Sequence, residues 1–157
     1  MHHTLVAVVE DKPGVLNRVA SLFRRRAFNI ESLTVGRTEE PGISRMTIVI
    51  DSDQTSAERV TAHLYKLVNV VAVEDLGAAP AVARDLALVK VATSGGNRAA
   101  LLQVVDETRA HIVDSGETTT TVEITGEPPH VDAVIGRLAL LGIVELVRTG
   151  RVAMRRG

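Results

Sequence analysis

The feature that most constrains this chain is a change of hydrophobic period that happens twice in the same order. A β-branched run, Thr4 to Val9, predicts a strand, and Val15, Leu16, Val19, Ala20, Leu22 and Phe23 then recur at helical spacing. Phe28 to Arg37 and Ile43 to Asp51 read as strands separated by the turn residues Thr38-Glu39-Glu40-Pro41-Gly42. A capping-box pattern, Thr55-Ser56-Ala57-Glu58, then opens a helix whose buried stripe is Ala57, Val60, Leu64, Leu67 and Val68. Val70 to Leu76 closes the unit as a strand, and the order is βαββαβ.

After Gly77 to Arg84, which lacks periodicity and reads as a linker, the order returns. Leu86 to Ala92 alternates as a strand, and Leu101, Leu102, Val104 and Val105 mark a helix. His111 to Asp114 and Thr119 to Ile124 read as the middle strands. Pro128-Pro129 opens a last helix, and Ile143 to Arg148 is the last strand. Strands flank every helix, so the fold class expected is α+β: two ferredoxin-like sandwiches with antiparallel sheets. The expected boundaries are a first domain over 1–78, a linker over 79–85 and a second domain over 86–157. Apolar residues on both faces of the first strand suggest a sheet covered on both sides or joined to another sheet.

Composition narrows the function. Aromatics make up only 2%, so the cores must be aliphatic, and a unit of about 75 residues buries a modest core that association would support. Net charge is −1, with 9 basic and 10 acidic residues in 1–80 against 9 and 9 in 81–157. That balance, with three aromatics, argues against nucleic acid as a partner. No cysteine is present, which excludes disulfides, thiol nucleophiles and thiolate metal sites. No apolar run is long enough to span a membrane and Met1-His2-His3-Thr4 is unlike a signal peptide, so a cytoplasmic location is expected.

Catalytic equipment is hard to find. The five histidines are scattered, and neither a P-loop nor G-x-G-x-x-G occurs. Ser94-Gly95-Gly96 suits either an anion cradle at a helix start or an ordinary tight turn. Arg24-Arg25-Arg26 suits either a basic patch or solvated charges on a helix C-terminus.

The joint Glu10-Asp11-Lys12-Pro13-Gly14 is different. Pro13 suits the first turn of a helix, where amide hydrogens lack partners and attract a carboxylate. Gly14 lets a ligand backbone approach, and Asp11 can attract an ammonium. Asn29 can donate and accept, and Val15, Leu16 and Ile30 offer an aliphatic neighbourhood. An α-amino acid carries both charges at that separation. The competing reading is a plain Pro-Gly turn with an exposed acid.

The stretches "EDKPGVLNRVASLF", "FNIESLTVG", "SRMTIVI" and "LYKLVNVVAVEDL", with "LALVKV" and "IVELVRTGRVAMRRG" further on, resemble the small regulatory subunits of acetolactate synthase (acetohydroxyacid synthase). Asp-x-Pro-Gly before a helix is the common mark of ACT domains, and "NIESLTV" with "SRMTI" is more specific. The resemblance implies an N-terminal ACT domain that binds a branched-chain amino acid, usually valine, and forms a homodimer by joining sheets with the effector at the interface. It implies activation and feedback inhibition of a large catalytic subunit. It implies no cofactor of this chain's own, with thiamine diphosphate, Mg2+ and FAD belonging to the catalytic partner. Asp11, Lys12, Pro13, Gly14, Val15, Leu16, Asn29 and Ile30 are the effector-binding residues carried over. Asp11 stands where many members have Asn, so it either strengthens the ammonium contact or changes the preferred effector. The alternative function is a free-standing ACT-domain amino-acid sensor acting on a different partner.

Overall fold

The computed structural model describes residues 2–157, apart from the side chains of Gln54 and Thr55. It divides into two compact units, Met1–Val82 with Gly150–Gly157, and Ala83–Thr149. The first contains β1 (His2–Glu10), α1 (Val15–Arg25), β2 (Ile30–Arg37), β3 (Ile43–Asp51), α2 (Gln54–Tyr65) and β4 (Val70–Asp75), in the expected order. Its strands lie in the order β2-β3-β1-β4, all neighbours antiparallel.

The period of two decides which residues face the helices. Leu5, Ala7 and Val9 of β1 share a face with Met46, Ile48 and Ile50 of β3, and both rows pack on Val15, Val19, Leu22 and Phe23 of α1 and Ala57, Val60 and Leu64 of α2. Phe23 is the largest side chain among them and is 2% exposed. The opposite face is also covered: Val6 and Val49 are buried. The C-terminal segment contributes there, with Arg151 Nη1 donating to Thr4 Oγ1 at 3.1 Å and Arg45 Nη2 to Ala153 O at 2.7 Å. Apolar residues on both faces of β1 had this as their reason.

The second unit holds most of β5 (Ala81–Ala92), then α3 (Arg98–Thr108), β6 (His111–Ser115), β7 (Thr119–Gly126), α4 (Pro128–Ala139) and β8 (Ile143–Arg148). The strand order is β6-β7-β5-β8. Ala87, Val89, Val91, Val122 and Ile124 pack on Leu101, Val104, Val131, Val134 and Leu138. Asp85, nearly buried, accepts from Arg148 Nη2 at 2.7 Å, and Arg148 also bonds Asp132.

Several boundaries differ from expectation. Residues 81–85 of the expected 79–85 linker are strand, the division falls between Val82 and Ala83, and residues 150–157 belong with the first unit. A short strand, β9 (Val152–Arg155), lies in that returning segment and pairs with β5. Asp53 caps α2, accepting from Ser56 N–H at 2.7 Å; Thr55 already lies inside the helix, and its side chain is outside the described residues. Val68 is 88% exposed because the helix has ended before it.

Phe28 is not in β2 for a local reason. Ala27 N–H donates to Arg24 O at 3.2 Å and Phe28 N–H to Phe23 O at 3.1 Å, the paired bonds of a Schellman cap. Phe28 then packs edge-on against Phe23, ring centroids 6.3 Å apart. The cap requires a left-handed residue, and Ala27 supplies it at φ 55°. Ala27→Gly should therefore stabilise the first unit by about 1 kcal/mol, read as a rise in the thermal or urea unfolding midpoint.

Candidate functional site

At the end of β1 the chain turns into α1 through Asp11-Lys12-Pro13-Gly14. Gly14 is the helix N-cap at φ 85°, ψ −7°, and no side chain caps this end. The helix proper starts at Val15, so Pro13 lies in the preceding turn instead of the first helical turn. Some loop amides are already used. Asp11 N–H donates to Gly42 O at 2.8 Å, Lys12 N–H to Glu10 O at 2.9 Å and Val15 N–H to Lys12 O at 3.3 Å. Among the described residues, the amide hydrogens of Gly14, Leu16 and Asn17 have no acceptor within the protein; the next one, Arg18 N–H, bonds Gly14 O at 3.0 Å. These three donors belong to exposed residues at the positive end of the helix dipole, an arrangement able to receive a carboxylate.

The acid stands beside them. Asp11 is exposed, with Arg37 Nε 3.8 Å from its Oδ2. Such a surface pair is weak and leaves the carboxylate able to take an ammonium. Lys12 turns back onto Glu10, Nζ to Oε2 at 2.6 Å, and so keeps its charge on its own side chain's neighbour. Leu16 is 46% exposed and can touch a ligand, whereas Val15 is buried in the core and cannot. A Cβ at Gly14 would meet nothing within 4 Å, so the glycine serves the backbone conformation and an open approach.

Asn69 was not legible as part of this site. Its carbonyl accepts from Glu10 N–H at 2.9 Å and its Oδ1 from Arg18 Nη1, so it ties the end of β1 to the first turns of α1. The available signal was a polar residue, 7% exposed, inside the apolar run Leu67 to Val73.

Asn29 and Ile30 lie elsewhere. Ile30 pairs with Ile50, and Ile50 pairs with His3, so Ile30 is level with the beginning of β1. Asp11 follows the far end of that strand, about 24 Å away at the rise of an extended chain. Within one chain the structure gathers Asp11 to Leu16 and leaves Asn29 and Ile30 at the opposite end of the sheet. The end of β2 is different: Arg37 pairs with Ser44, and Ser44 with Val9, which puts Arg37 at the loop end. β2 is also an edge strand.

Other candidates dissolve on inspection. Ser94-Gly95-Gly96 leads to Asn97, whose Nδ2 donates to Ala92 O at 2.7 Å and Leu141 O at 3.0 Å, the bracing of a turn. Among the described residues no group of three or more His, Asp or Glu side chains could hold a metal ion, and no helix is long and apolar enough to cross a membrane.

Two βαββαβ units, with an open helix N-terminus after an Asp-x-Pro-Gly turn, define an ACT-type regulatory chain. The comparisons with known proteins agree along the whole length. Residues 5–72 match the model of the AHAS small subunit-like ACT domain, and residues 84–157 match that of the small subunit of acetolactate synthase. The probable acetolactate synthase small subunit of Methanothermobacter thermautotrophicus is 48% identical over 99% of this chain and 93% of that protein. The acetolactate synthase small subunit of Mycobacterium leprae is 45% identical over 99% and 92%. The crystal structure of the small subunit from Thermotoga maritima superposes with a TM-score of 0.93 at 39% identity, covering 100% of this chain and 98% of that one. The chain belongs to the acetolactate synthase small-subunit family, whose members are the non-catalytic subunits of that enzyme.

The geometry at Gly14 has a direct consequence for stability. Gly14→Ala should lower the unfolding free energy by about 1 kcal/mol, from left-handed strain alone, since its methyl group enters open space. Denaturant unfolding measures this.

Proposed function

We propose that this chain activates the large catalytic subunit of acetolactate synthase and makes it sensitive to a branched-chain amino acid, with valine the effector. The observation that carries the reading is the set of unsatisfied amide hydrogens on Gly14, Leu16 and Asn17 beside the Asp11 carboxylate. The α-carboxylate takes the amides, the α-ammonium takes Asp11, and an aliphatic side chain rests on Leu16. Thiamine diphosphate, Mg2+ and FAD belong to the catalytic partner.

One chain brings together six of the eight expected residues, Asp11 to Leu16, and a second copy would add Asn29 and Ile30. Antiparallel pairing of β2 with β2 of another copy would use the open edge and join two four-stranded sheets. It would also bring Asn29 and Ile30 of the second copy beside Arg37 of the first, at the loop end. Effector and dimer are then linked: valine stabilises the pair, and the pair creates the valine site.

The coupling to the catalytic subunit must be reciprocal, so the partner alters valine affinity by the factor with which valine alters the partner's binding. Acetolactate formation by the large subunit should rise when this chain is added and fall again with valine. With Gly14→Asp the rise should persist and the valine response vanish, because the new carboxylate repels the effector's own. Absence of any activation would reject the subunit reading; an unchanged valine response in the variant would reject this loop as the site.

A further inference from the structure

The antiparallel helices α1 and α2 enclose a cleft of about 300 Å3 lined by Leu22, Arg25, Arg26, His63, Lys66 and Leu67. Its floor is aliphatic and its rim is entirely basic or imidazole. Among the described residues no carboxylate lines it, and Arg25, Arg26 and Lys66 have no ion-pair partner there. Elsewhere on this chain, whose net charge is −1, cations that share a surface with acids pair with them, as Lys12 does with Glu10 and Arg155 with Glu74.

Cations near a helix C-terminus commonly satisfy its free carbonyls, but here backbone amides take several of them, and among the described residues Arg25, Arg26 and Lys66 make no side-chain hydrogen bond to any. At α1 the carbonyls of Leu22, Phe23 and Arg24 accept from Arg26, Phe28 and Ala27 N–H. At α2 the carbonyls of His63 and Leu64 accept from Lys66 and Leu67 N–H. The basic side chains are therefore spare, and they come from two helices to one concavity. Their joint field registers on His63, whose pKa lies below the usual histidine value because of burial and then the adjacent Arg26 and Lys66 charges.

We propose that this cleft is an anion site for a compact multivalent oxyanion of the phosphate class, held by Arg25, Arg26 and Lys66 over Leu22 and Leu67. Guanidinium forks and an ammonium match phosphate oxygens, and the volume suits a pyrophosphate-sized group. The site uses none of the effector-loop residues and stands independently of the valine proposal.

Pyrophosphate is the probe. Titrated into the full chain at constant ionic strength, it should bind saturably, one per chain, and raise the NMR titration midpoint of His63 as the added anion offsets the neighbouring cations. Orthophosphate should bind more weakly, and glycerol phosphate tells whether an organic monoester is accepted at the same place. Arg26→Gln and Lys66→Gln, both on the surface, should each weaken pyrophosphate roughly tenfold, the loss of one charge-assisted hydrogen bond. Arg155→Gln should change nothing. A His63 response that never saturates and is matched by sodium chloride, or binding that survives both cleft variants unchanged, would overturn the proposal.

Discussion

The register of three strands governs this structure more than any single contact. Because Ile30 pairs with Ile50 and Ile50 with His3, while Asp11 follows Glu10 at the other end of β1, the two halves of the expected effector site lie a sheet's length apart. No side-chain motion closes a gap of about 24 Å. An effector that touches both sets must touch two chains. The open edge of β2 would supply the means, and antiparallel pairing of that edge with itself would set Asn29 and Ile30 of one copy beside Arg37 of the other. An edge of this length would otherwise be a liability for aggregation.

Helix α1 is built asymmetrically at its ends, and the asymmetry has chemical meaning. At its C-terminus a backbone cap consumes the carbonyls of Leu22, Phe23 and Arg24 and locks Phe28 against Phe23. At its N-terminus no side chain caps, and three amide hydrogens stay open. A left-handed residue stands at each end: Gly14, facing open space, and Ala27, where the cap accepts strain. Asn69 ties that open end to the end of β1 from β4's side.

Much of this was legible because it depends on local periodicity. Ile43 to Asp51 read as a strand and forms β3, and the cores contain most of the aliphatic residues the helical spacing marked, although Leu16, Ala20, Val68 and Leu102 stay exposed. The Asp-x-Pro-Gly joint was legible as well. What escaped depends on distant partners or on unfavourable local choices. Ala27 carries no glycine signal for its left-handed turn. The strand residues 81–85 and β9 gave no strand signal because Ala81-Val82-Ala83 carries little contrast between its faces and β9 is only four residues long. Asn29 and Ile30 are near Gly14 in sequence and far from it in space, since α1, at 11 residues, carries the chain back to the other end of the sheet.

A complementation experiment tests the shared site most directly. Gly14→Asp breaks the loop half and Asn29→Ala breaks the other half, so neither variant alone should bind valine in calorimetry. Mixed and allowed to exchange subunits, about half of the dimers become heterodimers, each with one intact site, and about a quarter of the wild-type binding capacity should return. If the mixture binds no valine although heterodimers have formed, or if Asn29→Ala alone binds as well as the unaltered chain, the effector is not held between two copies.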